Sequence, residues 1–493
     1  MTYHVLFFSS RQHVSERSSG CHRIATYMRD QGIDVEVIDF AAHWNFDHLK
    51  QLVIQRTTRN TLFFGFSTFF SYWTNTLSLF TEWLKNTYPD IPVVLGGNSV
   101  ASADAKNIDY WVDGYGEIAI IELAKSLTGN STQELLIEDN GSKKIIKSLK
   151  SYFAGDLKSY KNILEKRDFV EEHEWLTIEF SRGCKFACSY CNFPILGVKE
   201  DTSRTKEDFE YEMKYNYDNF GITNYYVADE TFNDRKEKII KFADVVDTLN
   251  FKPFFSGFLR ADLLISQPQS WEHLSRLNFG GQFYGIESFN HQSAKTVGKG
   301  MHPDKIKQGL IDIRSYMSKN NFYRGTVSLI AGLPYDSNEN WVETDLWLQE
   351  NWKDQGLMVF SLQIYNSSKF SNNELTNVSD FSKNPEKYNI REIKNAKDTN
   401  DEEYKYRNFF KEGTELLWEH DSMNIFDAKR ITKEMTLKSL VQYPLNNFTL
   451  GIPEFAERKK VNSLRELSNM KLTDISKKPN SFLDDYINKK LNL

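Results

Sequence analysis

Three of the four cysteines in this chain fall in one short run, Ser181-Arg182-Gly183-Cys184-Lys185-Phe186-Ala187-Cys188-Ser189-Tyr190-Cys191. Their order is C-x-x-x-C-x-x-C. Thiolates spaced this tightly gather round one inorganic centre. Iron–sulfur clusters are usually held by four cysteines; with three, a cubane cluster keeps one iron without a protein ligand. Zinc is the bland alternative and wants four ligands. Cys21 is the one remaining cysteine and His173 is near in sequence, but the second C-x-x-C pair that zinc knuckles favour is missing.

A bare iron can take the amino and carboxylate groups of S-adenosylmethionine, which sets the sulfonium beside the cluster. One electron passed into the sulfonium breaks a carbon–sulfur bond and leaves a 5′-deoxyadenosyl radical. Here the protein positions the cofactor and excludes water, and the hard chemistry belongs to the cofactor. The pattern C-x-x-x-C-x-aromatic-C, with Tyr190 as the aromatic, resembles the signature of the radical SAM superfamily. The preceding Ser-Arg-Gly resembles the subgroup with an N-terminal cobalamin-binding-like domain. The likeness runs from the start of the chain to about residue 350.

That resemblance implies a 4Fe-4S cluster on Cys184, Cys188 and Cys191, S-adenosylmethionine as cosubstrate, and a small flavodoxin- or ferredoxin-like electron donor. It places Asp229 and Glu230 at the methionine amino group and Arg260 at its carboxylate. Glu287 and Ser288 resemble residues that reach the ribose hydroxyls or the amino-acid end. Gly332-Leu333-Pro334 resembles the turn beside adenine, with Ser328 where the family prefers glycine.

The elements that must hold these residues can be read from periodicity. Trp175 to Phe180 alternates and feeds the cysteine loop as a strand. Strand patterns recur at Asn224–Glu230, Phe254–Arg260, Gly281–Ser288, Thr326–Pro334 and Met358–Ile364, with helices between them. Six strands in this order fit a partial (β/α)6 barrel over residues 173–370, with its chemistry at the carboxyl ends of the strands. Residues 1–130 alternate strands at Val5–Phe8, Val35–Phe40, Leu62–Phe66, Pro92–Gly97 and Asp109–Val112 with helical stretches. That argues a Rossmann-like, doubly wound parallel sheet. Residues 131–172 read as a connector with a hairpin arm at Ile145-Ile146-Lys147. Residues 371–493 read as mainly helical, with helices at Glu402–Leu417 and Asp427–Val441 and a closing helix near Phe482–Ile487. The fold class is α/β.

At the strand ends of the first sheet stand Ser9-Ser10, Ser67-Thr68, Gly96-Gly97-Asn98 and Gly114-Tyr115-Gly116-Glu117. Gly96, Gly97 and Gly116 would let a large flat ligand approach the backbone. The turns resemble those of cobalamin-binding domains, with one departure. Where the family's D-x-H-x-x-G loop supplies a histidine to cobalt, this chain has Arg17, and His13 is out of register. Two readings stay open: cobalamin bound without a protein histidine, or a sheet kept for packing or substrate contact.

Composition sets the bounds. The 493 residues are enough for two or three domains. The formal net charge of −6 gives no electrostatic case for generic nucleic-acid binding. Four cysteines in so long a chain are no disulfide framework, and thiolates reserved for iron imply a reducing compartment. With no signal-like start and no membrane-length apolar run, the chain reads as cytoplasmic. The expected function is radical SAM catalysis, with cobalamin-dependent methyl transfer as the family-level favourite. The alternatives are radical chemistry without cobalamin, as oxidation or rearrangement, and a non-catalytic binding module stabilised by zinc or a cluster.

Overall fold

The computed structural model describes residues 2–9, 17–67, 76–97, 106–131, 135, 137–139, 141–147, 161–172, 174–191, 203–319, 321–364, 379–393, 415–447 and 481–493. His13, His173, Ser10, Thr68, Asn98 and most of the expected Glu402–Leu417 helix lie outside these residues.

Two parallel sheets carry the chain. The first has seven strands: β1 (His4–Ser9), β2 (Asp34–Ile38), β3 (Thr61–Ser67), β4 (Val93–Gly96), β5 (Tyr110–Asp113), β6 (Ile137–Asp139) and β7 (Lys144–Lys147). Their order is β2-β1-β3-β4-β5-β7-β6, parallel except for the β6–β7 hairpin. The arm expected in the connector therefore extends the first sheet, with β7 lying parallel to β5. Side-chain alternation builds a core on each face. Val5, Phe7 and Phe63 pack on one face with helix α1 (Ser19–Asp30). Leu6, Phe8 and Phe64 pack on the other with α2 (Phe46–Arg56) and α3 (Thr76–Thr87). Gly116 is the N-cap of α4 (Glu117–Leu127).

The end of the chain returns to this first sheet. Helix Ser481–Leu491 sets Tyr486 and Ile487 into the same core as Leu6 and Phe8. The Tyr486 hydroxyl accepts from the Asp39 amide (3.1 Å). Lys490, fully buried, donates to the Val37 carbonyl at 3.0 Å and lies 3.2 Å from Glu36.

The second sheet holds β8 (Trp175–Ile178), β9 (Asn224–Val227), β10 (Phe254–Leu259), β11 (Gly281–Glu287), β12 (Arg324–Ala331) and β13 (Gly356–Ser361) in sequential order, all parallel. All six strands fall where the alternation placed them. Phe180 and Phe255 join Phe209 and Phe242 of the surrounding helices in one aromatic core. Beyond the barrel the long helix Ile425–Gln442 is present as expected. A small antiparallel sheet, β14 (Arg391–Glu392), β15 (Trp418–His420) and β16 (Met423–Asn424), was not expected in a mainly helical region. Its strands are two or three residues long, too short for a period-2 pattern to register. No helix among the described residues is long and apolar enough to cross a membrane.

Candidate active site

The cysteine loop leaves the end of β8, and carboxylates at the end of β9 fix its start. Asp229 is almost wholly buried. It accepts from the Phe180 amide (2.7 Å) and the Ser181 hydroxyl (2.5 Å). Lys238 supports it from below, donating to Ser181 Oγ (2.7 Å) and pairing with Asp234 (2.7 Å). Glu230 accepts from the Gly183 amide (3.1 Å), at a glycine with φ +97°. Burial pushes the Glu230 carboxyl up to about 7, and the charge of Asp229 adds to the shift. The two acids expected at the methionine amino group thus both hold the loop that carries the cysteines.

The three thiols sit along that loop, partly exposed, and no cysteine in the chain is in a disulfide. Cys184 Sγ lies 3.4 Å from Thr231 Oγ1. Cys188 Sγ accepts from Arg260 Nη1 at 3.6 Å, and the Cys191 amide donates to the Cys188 carbonyl (3.0 Å). Cys21, the fourth cysteine, is buried in the core of the first sheet among Val5, Phe7 and Ala25. Among the described residues no three His, Cys, Asp or Glu side chains group round a single ion. Three thiols on one loop, without a fourth cysteine at hand, fit a cluster held at three corners.

The rim residues converge on this loop. Arg260 follows β10, is held by Asp262 (2.6 Å) and lies over the Phe186 ring at 3.8 Å. Glu287 ends β11 after a register shift, at φ +69°, and accepts from the Tyr190 hydroxyl (2.6 Å). Lys299 lies 3.6 Å from Glu287 and donates to the Gly285 carbonyl (2.6 Å). Burial, with Glu287 and Cys188 alongside, drives the Tyr190 phenol well above its usual range. Ser288 Oγ accepts from the Asn290 amide (3.0 Å) in the turn before the next helix. Gly332, at φ +92°, donates to Asp336 (3.2 Å) and packs so closely on Trp418 that an added Cβ would lie 2.3 Å from it.

A second group, which sequence reasoning left out of the site, joins the first sheet to the barrel. Arg182 of the cysteine loop donates to Glu117 (2.5 Å) at the start of α4 and to Glu179 (2.5 Å). Arg23 of α1 reaches Glu179 (2.5 Å) and Glu117 (3.0 Å). Burial pushes the Glu179 carboxyl up to about 8 against the pull of Arg23, with Glu230 and Glu117 adding to the rise. The only sequence signal was that Arg182 and Glu117 stand inside the Ser-Arg-Gly and Gly-x-Gly-Glu stretches.

At the first sheet's rim, Gly97 has φ +126° and Gly114 φ +107°, and a Cβ at Gly96 would meet nothing closer than 4.0 Å. A Cβ added at Gly116 would lie 3.1 Å from Ile24. Among the described residues, nothing at Gly96 blocks the approach of a flat ligand to the backbone. Arg17 takes no part in it. It is buried, with Glu174 (2.7 and 2.8 Å), Asp39 (2.7 Å) and the carbonyls of Asp168 (2.7 Å) and Phe169 (3.1 Å) all accepting from its guanidinium. The rings of Phe40 and Tyr486 flank it. His22 shares the same Asp39 oxygen, its Nε2 lying 2.9 Å away.

Comparison with known proteins agrees with this geometry. Residues 178–348 match the model of the radical SAM superfamily. The anaerobic magnesium-protoporphyrin IX monomethyl ester cyclase of Synechocystis is 22% identical over 250 residues, 48% of this chain and half the length of that relative. Among solved structures, the radical S-adenosylmethionine methyltransferase TsrM of Kitasatospora setae, with tryptophan and a SAM analogue bound, superposes with a TM-score of 0.60 at 14% identity, over 74% of each chain. The cobalamin-dependent S-adenosylmethionine radical enzyme OxsB, with aqua-cobalamin bound, gives 0.55 at 16% identity, over 78% of this chain and 56% of that one. Residues 178–348 of this chain are thus a radical SAM domain.

Proposed function

We propose that this protein cleaves S-adenosylmethionine reductively at a 4Fe-4S cluster held by Cys184, Cys188 and Cys191, and uses the radical for methyl transfer with cobalamin at the first sheet. The carrying observation is the trio of thiols on one loop beneath Arg260, Tyr190 and Glu287, with the fourth cysteine buried in another core. When bound, the cluster and sulfonium supply the deoxyadenosyl radical, and cobalamin supplies the methyl carrier. The chain's own part is placement. Asp229 and Glu230 fix the loop, and Tyr190 ties it to β11 through Glu287. Arg260 is held by Asp262 beside Cys188, where a guanidinium can meet a carboxylate. The glycines at the strand ends, Gly96, Gly97 and Gly116, are the support for cobalamin, which here would bind without an imidazole from position 17. A small electron-donor protein in a reducing compartment completes the system.

Anaerobic reconstitution followed by a cleavage assay tests the radical step; absence of 5′-deoxyadenosine under strong reductant would overturn it. The visible spectrum of protein purified from cobalamin-fed cells tests the second half. The use of Arg17 as an internal tie supports a second reading, radical oxidation or rearrangement without cobalamin. A colourless first domain with active cleavage selects that reading.

A further inference from the structure

Three consecutive residues lead from β8 into the cysteine loop, and they are anchored in different places. Ser181 and Gly183 are held by Asp229 and Glu230 at the end of β9, within the barrel. The side chain of Arg182, between them, leaves the barrel. Its Nη2 donates to Glu117 (2.5 Å) on α4, beside the first sheet, and its Nε to Glu179 (2.5 Å). Arg23 of α1 closes the set, with Nη1 3.0 Å from the same Glu117 oxygen and 2.5 Å from Glu179. The helices of the first sheet and the barrel thus each give one arginine and one glutamate to a crossed group of four. Arg182 is almost wholly buried, and its guanidinium also lies over the Tyr115 ring at 4.5 Å. Tyr115 stands in the Gly114-Tyr115-Gly116 turn ahead of α4.

Burying four charges costs desolvation, and apolar side chains could join the two sheets as firmly. What the charges add is direction. A guanidinium fork meets two carboxylates in one geometry. Here that geometry is imposed two residues before Cys184. Groups that orient a metal ligand from behind matter to the metal: their loss commonly lowers its affinity by about 10–100-fold. We propose that Arg182 is a positioning residue for the cluster, through which Glu117 sets the place of Cys184. The radical SAM domain is then not self-sufficient, since its metal loop is completed by a helix outside residues 178–348. The inference rests on the radical reading for the cluster itself. It gives the first sheet a task that holds with or without cobalamin.

The test compares reconstituted holoenzyme of the wild type, Arg182→Lys and Glu117→Gln. Lysine keeps the charge without the fork, and glutamine keeps the shape without the charge. Iron release to a ferrous chelator should be about tenfold faster in each variant, and the electron paramagnetic resonance lines of the reduced cluster should shift. Leu52→Ala opens a cavity in the core of the first sheet, on α2. It lowers stability without touching the loop and should leave iron release and the resonance unchanged. Circular dichroism melts check each fold; should Arg182→Lys unfold, Glu117→Gln carries the test. Wild-type rates and lines in both loop variants, or equally fast release from Leu52→Ala, overturn the proposal. Deoxyadenosine release by the wild type is read separately. Deoxyadenosine with unaltered iron retention in the variants removes the positioning role alone, and faster iron loss in the variants without any deoxyadenosine removes the radical reading alone.

Discussion

Arg17 and Arg260 each follow a strand, one in either sheet, and their uses differ. The guanidinium of Arg17 is consumed by the protein itself: two carboxylates, two carbonyls and two rings surround it. Arg260 is braced by one aspartate and still presents Nη1 to a cysteine sulfur. The carboxylates follow the same division. Although burial pushes Asp39 up, His22 and Arg17 outweigh it and hold that acid well below the usual range. Glu230 and Glu179, facing the cysteine loop, are pushed up to about 7 and about 8. In the first sheet opposite charge outweighs burial at Asp39, whereas beside the cysteine loop burial outweighs the pull of Arg23 on Glu179. Acids perturbed in this way cluster at functional sites.

The largest effect should come from Cys188→Ser. Iron and sulfide content and deoxyadenosine release should fall by about a hundredfold or more, since a cluster left with two thiolates is not retained. The first sheet should keep its secondary structure; its collapse in this variant would break the division between the two regions. Next is Arg17→Met, which strands Asp39 and Glu174 in the interior. A loss of about 3–5 kcal/mol is expected, read from urea unfolding. If instead only ligand binding changes, Arg17 belongs to a rim after all.

A pH comparison sharpens the contrast. Asp336 accepts from Trp341 Nε1 (2.8 Å), and burial pushes its carboxyl up to about 7. Its folded pKa lies above the unfolded value, so the native state holds the extra proton and stability falls as pH rises from about 4 to about 7. Asp336→Asn should remove a fall on the order of 1–3 kcal/mol across that window. Asp39 acts in the opposite sense: its contribution is present above about pH 4 and is lost as pH falls further. The smallest effects concern two glycines. Gly332→Ala, at positive φ against Trp418, should cost about 1–3 kcal/mol. Gly96→Ala, whose added Cβ would meet nothing nearer than 4.0 Å among the described residues, should change stability by about 0.5 kcal/mol or less, measured by thermal melts.

Much of this arrangement could be read from residue order. The cysteine spacing located the loop, and period-2 alternation located all six barrel strands, because both signals are local. What escaped was anything decided by a distant partner. Asp229 reads as an acid at a strand end; only the fold shows its oxygens taken by Phe180 and Ser181. Arg17 could be placed against a family loop, yet its neighbours Glu174 and Tyr486 lie far along the chain. The β6–β7 arm showed as strand-forming, but which sheet edge it would join depends on pairing that alternation does not encode.

The helix at Ser481–Leu491 fills a core opened by a strand that starts at His4. A ribosome translating this chain emits the first sheet several hundred residues before the piece that closes it. Until then Phe8 and Phe40 lack Tyr486, and the Asp39 amide lacks its acceptor. Proteolytic clipping, a nonsense codon or a bulky tag near residue 480 should therefore injure the amino-terminal half first.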